Sequence, residues 1–377
     1  MTDVTDRTGH LHPSRPYDAA MRKAPASLTE GLPFVLGAWF ISRLLVYGSL
    51  LSSNSTFPTA LTNWDASWLL ELARMGYQNP PQAAFFPAFP EAVSLASRLF
   101  GSPLLVALFL NTFLSVVGSA LLYRLARTQL PKNAARLAVL VLLFHPLSFY
   151  LTVPYTEALF FTATVGAFWF AGRGSTASAG LLGVVAALAR NTGVLLALPL
   201  FFLGLRPAET ESGTPRNPWT RAAILAFFPL AGLVGYMLFT FLRFGDPLLF
   251  LHAQAHWRDH IQLSWPFAAL VRDVGRWRAW VDHHLTLSLV GLVLAYRVWT
   301  RWPRAYGLLI APPLLLSFSL SKLAITPRLH LVLFPLWLEA GAWLAKAPRW
   351  VQGTVLGGAA VLGVMLARSF AAGIWVD

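Results

Sequence analysis

The chain has 377 residues, of which 56% are hydrophobic and only 12% charged, with a mean hydropathy of +0.57 and a formal net charge of +13. Soluble domains carry about a quarter charged residues, so a water-soluble fold is excluded. The lack of cysteine removes disulfides, thiol catalysis and Cys-zinc sites. The basic excess comes without a basic block or nucleic-acid motif, and so indicates positive-inside topology and anionic lipid.

Residues 1–32 are polar with no early apolar core, and read as a cytoplasmic N-terminal tail rather than a cleavable signal. Apolar stretches then recur at about 33–51, 103–123, 137–153, 157–171, 177–190, 193–205, 222–243, 285–299, 305–320, 329–345 and 350–367. Stretches of about 20 residues cross a hydrocarbon core of about 30 Å, and lipid forces the backbone to bond within itself. The expectation is an all-α polytopic membrane domain over 33–367 with about eleven transmembrane helices. A short outer tail follows over 368–377. Residues 177–190 and 193–205, flanking ARNTG, form either a pair of brief helices or a broken, re-entrant pair. With the N-terminus in the cytoplasm, most Arg and Lys fall on the cytoplasmic side, including the polar loop 206–220. Asp65, Glu71, Glu91, Glu157, Asp246, Asp259, Asp273 and Asp282 fall outside, with His252, His256, His260, His283 and His284. Arg far outnumbers Lys and Ala, Gly and Pro are abundant, a composition that suggests a GC-rich bacterial genome and a bacterial cytoplasmic membrane.

Two outer loops are long. The first, 52–102, contains NWDASWLLELARMGY, in which Trp64, Trp68, Leu72 and Met75 recur at helical spacing and Gly76 can end the helix. This reads as a helix lying in the membrane interface. Asp65 suits the N-cap of a helix beginning at Ala66, and a cap facing a cavity can also act as general base toward a hydroxyl. FFPAFP, residues 85–90, reads as a stiff, buried loop supporting that helix.

FHPLSFYLTVPYTEALF, residues 144–160, ends in Tyr155, Thr156 and Glu157. Thr156 and Glu157 suit a helix N-terminus; the rival reading is the polar wall of a substrate cavity. Arg43, His145 and Glu339 are ionisable groups inside apolar spans and are functional suspects on that ground. Arg190 in ARNTG is either part of a simple turn or a guanidinium fork for a phosphate.

The second loop, 244–284, opens with FGDPLLFLHAQAHWRD, which offers Gln254, His256 and Trp257 to a cavity. His252 and His256 share a helix face but lack a third ligand, so no metal is expected. Phe267, Leu270, Val271, Val274 and Trp277 form one stripe of a second interfacial helix. Lys322 and Arg328, at the outer membrane edge, either snorkel or contact a lipid phosphate.

P-loop, GxGxxG, HExxH and GxSxG patterns are missing, so nucleotide hydrolysis, NAD chemistry and serine hydrolysis have no support. A site outside the cell has no ATP or nucleotide-sugar, and a glycosyl donor there has to arrive as a polyprenyl-linked sugar. The stretches NWDASWLLELARMGY, FFPAFP, HPLSFYLTVPYTEALF, LARNTGVLLALPL, FGDPLLFLHAQAHW and PRLHLVLFP, in this order from residue 63 to about 335, resemble the GPI mannosyltransferase II (PIG-V-type) family of the GT-C superfamily. The resemblance implies a GT-C-type fold, a polyprenyl-phosphate donor carrying most often mannose, and inverting transfer without metal or other cofactor. It also implies Asp65 as the base and Arg190 and Arg328, with Lys322, as contacts to the donor phosphate. Trp64, Trp68, Tyr155, Glu157, Gln254, His256 and Trp257 would line the sugar and acceptor cavity. Leu69, Phe89 and His145 depart from residues common in the family, which points to a different acceptor. The rival class is a lipid or solute transporter, which would show inverted repeats and charges deep within its spans. Neither is evident here.

Overall fold

The computed structural model describes residues 30–52, 55–206, 217–257, 263–276, 283–323 and 326–376. The expected roles of Asp259, His260, Trp277 and Asp282, the tail through residue 29 and most of the 206–220 loop lie outside the described residues. The first span is α1 (Leu32–Leu51). It is followed on the first long loop by α2 (Phe57–Leu61), α3 (Asp65–Met75) and α4 (Ala88–Phe100). The bundle continues with α5 (Pro103–Arg127), α6 (Lys132–Leu143), α7 (Glu157–Gly172), α8 (Thr176–Ala189), α9 (Ala197–Gly204) and α10 (Pro218–Phe244). The second loop carries α11 (Leu249–Trp257) and α12 (Ala268–Val274). It leads to α13 (His283–Arg301), α14 (Arg304–Phe318), α15 (Thr326–Val332), α16 (Phe334–Leu344) and α17 (Arg349–Ala371). Extended pairing among the described residues is limited to one antiparallel bridge, Leu263 with Leu320.

Every expected span falls at least in part on helix, but among the described residues α1, α5, α10 and α17 alone are both long and apolar enough to cross a membrane unaided. α6, α8, α9, α14 and α16 are shorter. Nearly every residue of α7 is buried, and an all-round apolar helix belongs at the centre of its bundle. It packs between α5 and α8, α8 in turn lies on α10, α6 on α16, and α1 on α17. The lipid-facing helices instead expose Phe40, Ile41 and Leu44 on α1, and Phe227, Val234 and Leu242 on α10.

Two expected spans are broken, 137–153 after Leu143 and 329–345 at Leu333, between α15 and α16. After α6 the chain passes through a tight 3-10 turn (Ser148–Leu151) before α7. The freed carbonyls are taken up by Arg43 on α1, whose Nη1 donates to Ser148 O (2.9 Å) and Thr152 Oγ1 (2.5 Å). Its Nη2 donates to Ser42 Oγ (2.8 Å) and Leu143 O (3.3 Å). Irregular backbone survives at membrane depth only when it is satisfied in this way. Arg43 is therefore structural. So is Glu339, which accepts from Arg297 Nε (2.7 Å) and Trp302 Nε1 (2.8 Å). The pair 177–205 is likewise broken: α8 ends at Ala189, a 3-10 turn spans Asn191–Leu196, and α9 follows. Gly193 lets that turn fold back on α8, since a Cβ there would collide with the Ala186 carbonyl.

The first loop differs from expectation in two respects. FFPAFP is only half loop. Pro87 is the N-cap of α4 and Pro90 lies in its first turn, where a missing N–H is harmless. Phe89 and Val93 then pack on Leu69, Leu70 and Ala73 of α3. The buried face of α3 is thus Ala66, Leu69, Leu70, Leu72 and Ala73. Of the expected Trp64–Trp68–Leu72–Met75 stripe only Leu72 is buried, while Trp64 and Met75 are exposed.

Candidate active site

The start of α3, the first residue of α7, the segment after α8 and α15 meet through bonded side chains, and the C-terminal end of α17 closes on the start of α3. Asp65 is the first residue of α3, not its N-cap. The cap position is Trp64, held at φ 58°, with no side-chain cap bond. A positive φ on a bulky residue is a strained conformation that neighbouring structure must enforce. Here that structure is the C-terminal end of α17. Asn63 Nδ2 donates to Phe370 O (2.7 Å), and the Trp64 ring meets Trp375 edge-on at 4.8 Å.

The turn aims Asp65 at Arg328 on α15. Arg328 Nη1 donates to Asp65 Oδ2 (2.9 Å), and its Nε donates to Glu157 Oε1 (2.5 Å). Arg190, just past α8, donates from Nη1 to the same Glu157 oxygen (2.5 Å) and to Thr156 Oγ1 (3.3 Å). Four charges from four separate segments thus form one chain, Asp65–Arg328–Glu157–Arg190, with a formal charge of zero. The Arg328 guanidinium is flanked by the rings of Tyr155 (4.6 Å) and Tyr150 (4.8 Å), an arrangement that favours a cation. Tyr155 is itself anchored, its hydroxyl donating to Asn63 O (3.1 Å) while Asn111 Nδ2 donates to its carbonyl (3.0 Å).

Accessibility separates the two acids. The Asp65 side chain is 31% exposed, that of Glu157 0%, and those of Arg190 and Arg328 17% and 9%. Asp65 Oδ1 has no hydrogen-bond partner among the described residues, so one oxygen is held and the other is open. Glu157 faces guanidinium groups rather than open space, and its Oε2 is buried without a partner.

The structure brings Asp65, Glu157, Arg190, Arg328 and Tyr155 together, with Trp64 at the rim. Gln254 instead donates to Ala84 O (3.3 Å), tying α11 to the first loop. His256 is exposed, and the side chain of Trp257 lies outside the described residues. Lys322 is exposed and shares no bond with the four charges among the described residues. His252 pairs with Asp246 at 2.6 Å rather than with His256, and this bond leads the causes that hold the Asp246 carboxyl below the usual carboxylate range. Among the described residues no three His, Asp or Glu side chains cluster as metal ligands would. Sequence reasoning missed Asn63, Tyr150, Phe370 and Trp375. Tyr150 lay inside a motif already singled out, whereas the α17 residues carry no polar signal of their own.

Fold and charge placement define a multi-pass α-helical membrane protein of the GT-C type. The fold likeness is to the crystal structure of ArnT from Cupriavidus metallidurans bound to undecaprenyl phosphate, with a TM-score of 0.57 and 16% identity over 92% of this chain and 72% of that one. The Archaeoglobus fulgidus oligosaccharyltransferase tethered to an acceptor peptide has a TM-score of 0.53 and 13% identity over 95% of this chain and 56% of that one. The sequence family is narrower. Residues 47–205 match the family model described as mannosyltransferase (PIG-V). The chain is similar to GPI alpha-1,6-mannosyltransferase 2 of Rattus norvegicus, 33% identical over 165 residues, covering 41% of this chain and 33% of the relative. The Mus musculus protein of the same name is 33% identical over 147 residues, covering 36% and 30%. The matched stretch thus spans about a third of these relatives' own length. The matched segment contains α3, Glu157 and Arg190, while the stretches at 244–257 and 327–335, with Arg328, lie outside it.

Proposed function

We propose that this protein is an integral-membrane glycosyltransferase. It transfers a hexose, mannose in the first instance, from a polyprenyl-phosphate donor to an acceptor hydroxyl with inversion. The observation that carries the reading is the pairing of a half-open carboxylate, Asp65, with a guanidinium, Arg328, that it shares with a buried acid. In this reading Asp65 Oδ1 takes the proton of the acceptor hydroxyl. The oxygen attacks the anomeric carbon from the face opposite the phosphate. The bond from that carbon to the phosphate oxygen breaks, and its electron pair leaves with the polyprenyl phosphate. Arg328 and Arg190 stabilise the charge that develops there, with exposed Lys322 as a further cation. Trp64, Trp68 and Tyr155 border the sugar, and Gln254, His256 and Trp257 the acceptor. The chemistry as written uses protein groups alone, without a metal or cofactor.

The site faces away from the cytoplasm of a bacterial cell in this reading. The support is charge placement, together with the undecaprenyl phosphate bound by the ArnT neighbour. The test is transfer from labelled polyprenyl-phosphate-mannose to endogenous acceptors in membranes holding the intact chain or Asp65→Asn at matched levels. Loss of about 100-fold or more is expected, the scale of a general base. Equal transfer by both would remove Asp65 from the reaction. If neither transfers mannose, the test is repeated with other polyprenyl-linked sugars, and silence there rejects the glycosyltransferase reading.

A further inference from the structure

We infer that Glu157 is the positioning residue of the site, a buried anion that sets the spacing of Arg190 and Arg328 for a lipid phosphate and never touches the sugar. The inference rests on the glycosyltransferase reading for the identity of that phosphate. Its own basis is geometric. Arg190 follows α8 and Arg328 lies on α15, two segments far apart in the chain. What they share is a single atom, Glu157 Oε1, which accepts from both at 2.5 Å. Two guanidinium groups this close repel one another unless an anion lies between them. Glu157 is that anion, and it is held by the first turn of α7, a helix with nearly every residue buried. With 0% of its side chain exposed, it cannot meet an acceptor or a sugar without displacing an arginine. Asp65 has the opposite character, an open oxygen and a third of its side chain exposed. The division of labour is therefore a reactive acid at the surface and a fixed acid beneath the cations.

Charge arithmetic gives this role a signature that a purely structural residue would not show. Glu157→Gln raises the formal charge of the cluster from zero to plus one. A more positive pocket attracts an anionic lipid at least as well as before, so binding survives. Alignment does not survive, because the two guanidinium groups lose their common partner. A displacement of about 1 Å at such a group can cost about 100-fold in rate.

The experiment uses the full chain in detergent, with undecaprenyl phosphate as the binding probe and its mannosylated form as substrate. For Glu157→Gln we expect a Kd for undecaprenyl phosphate equal to or below that of the unaltered protein. We also expect a phosphorus-31 resonance of the bound lipid shifted from its wild-type position, and a kcat lower by about 100-fold with KM unchanged or reduced. Glu157→Asp keeps the charge but shortens the reach, so it should bind equally and turn over more slowly. It serves as the deciding variant if the Gln form does not fold. Unaltered kcat in these variants overturns the inference. So does loss of binding and turnover together in a variant whose melting temperature is unchanged, which would place Glu157 on the substrate itself. A wild-type protein that binds undecaprenyl phosphate but transfers no sugar sinks the transferase reading alone, and the phosphorus resonance then decides the case of Glu157. If the wild-type protein does not bind undecaprenyl phosphate, both fall.

Discussion

Arg328 is where most of the site's interactions converge. It bonds two carboxylates with two different nitrogens and lies against the rings of two tyrosines that also touch each other. Only a planar fork does all of this, so lysine is not a conservative replacement. Arg328→Lys should keep the fold while lowering transfer, read as kcat in the mannose assay. Arg328→Met goes further, since it leaves Asp65 without its guanidinium partner and Glu157 with one cation instead of two. Removing one partner of a buried pair costs about 3–5 kcal/mol, and the melting temperature in detergent should fall accordingly. The sequence made each of these residues visible singly. Asp65 lay between tryptophans, Glu157 at a helix start, and Arg190 and Arg328 at span ends. What it could not show was the pairing, because Arg328 and Asp65 are 263 positions apart and any outer acid was an equal candidate for any outer base. The cap assigned to Asp65 failed for the same reason. A distant guanidinium claims the carboxylate, and Trp64 takes the cap position with a strained backbone instead.

At the level of elements, the breaks in α6–α7 and α15–α16 do more than the long helices. The first puts irregular backbone next to the site, carrying Tyr150 and Tyr155 against Arg328. Arg43 keeps that segment bonded, and Arg43→Met would remove its bonds to the Ser148 carbonyl and the Thr152 hydroxyl in a dry environment, while Leu143 O keeps the Ser42 hydroxyl as donor. A buried unsatisfied group costs about 1–3 kcal/mol. The expected outcome is a lower melting temperature together with reduced transfer, since the same segment supports the tyrosines flanking Arg328. Gly193→Ala should do comparable damage from the other side, by pushing the turn after Arg190 away from α8. Hydropathy reads both broken segments as continuous spans because it registers apolarity and not backbone bonding. It missed α4 for the converse reason. Two prolines look like a breaker, but at the first turn of a helix they are compatible with it.

Across the whole molecule, burial is graded from α7 outward to the lipid-facing α1, α10 and α17. Opening free energy follows the density of buried contacts. Hydrogen exchange in detergent should therefore find the α7 amides the slowest and those of α12 among the fastest. Equal protection of the two would contradict a single core built around α7. This grading was not legible, since the 177–190 stretch is as apolar all round as 157–171 and apolarity does not tell protein from lipid. Nor was the role of α17. Its end reaches the site through Phe370, which packs on Phe149, Tyr150 and Tyr155, and through Trp375 against Trp64. Aromatic residues near a membrane boundary read equally well as interfacial anchors.

The zero formal charge of the Asp65–Arg328–Glu157–Arg190 chain has a consequence for how such a site can change over evolutionary time. Losing any one member leaves a neighbour uncompensated in a buried setting, so a lineage cannot drift through single substitutions there. The four positions should be inherited as a block, or be replaced in opposite-charge pairs. Exposed His256, outside the four-charge chain, lies under no such constraint and can follow whichever acceptor a given cell presents.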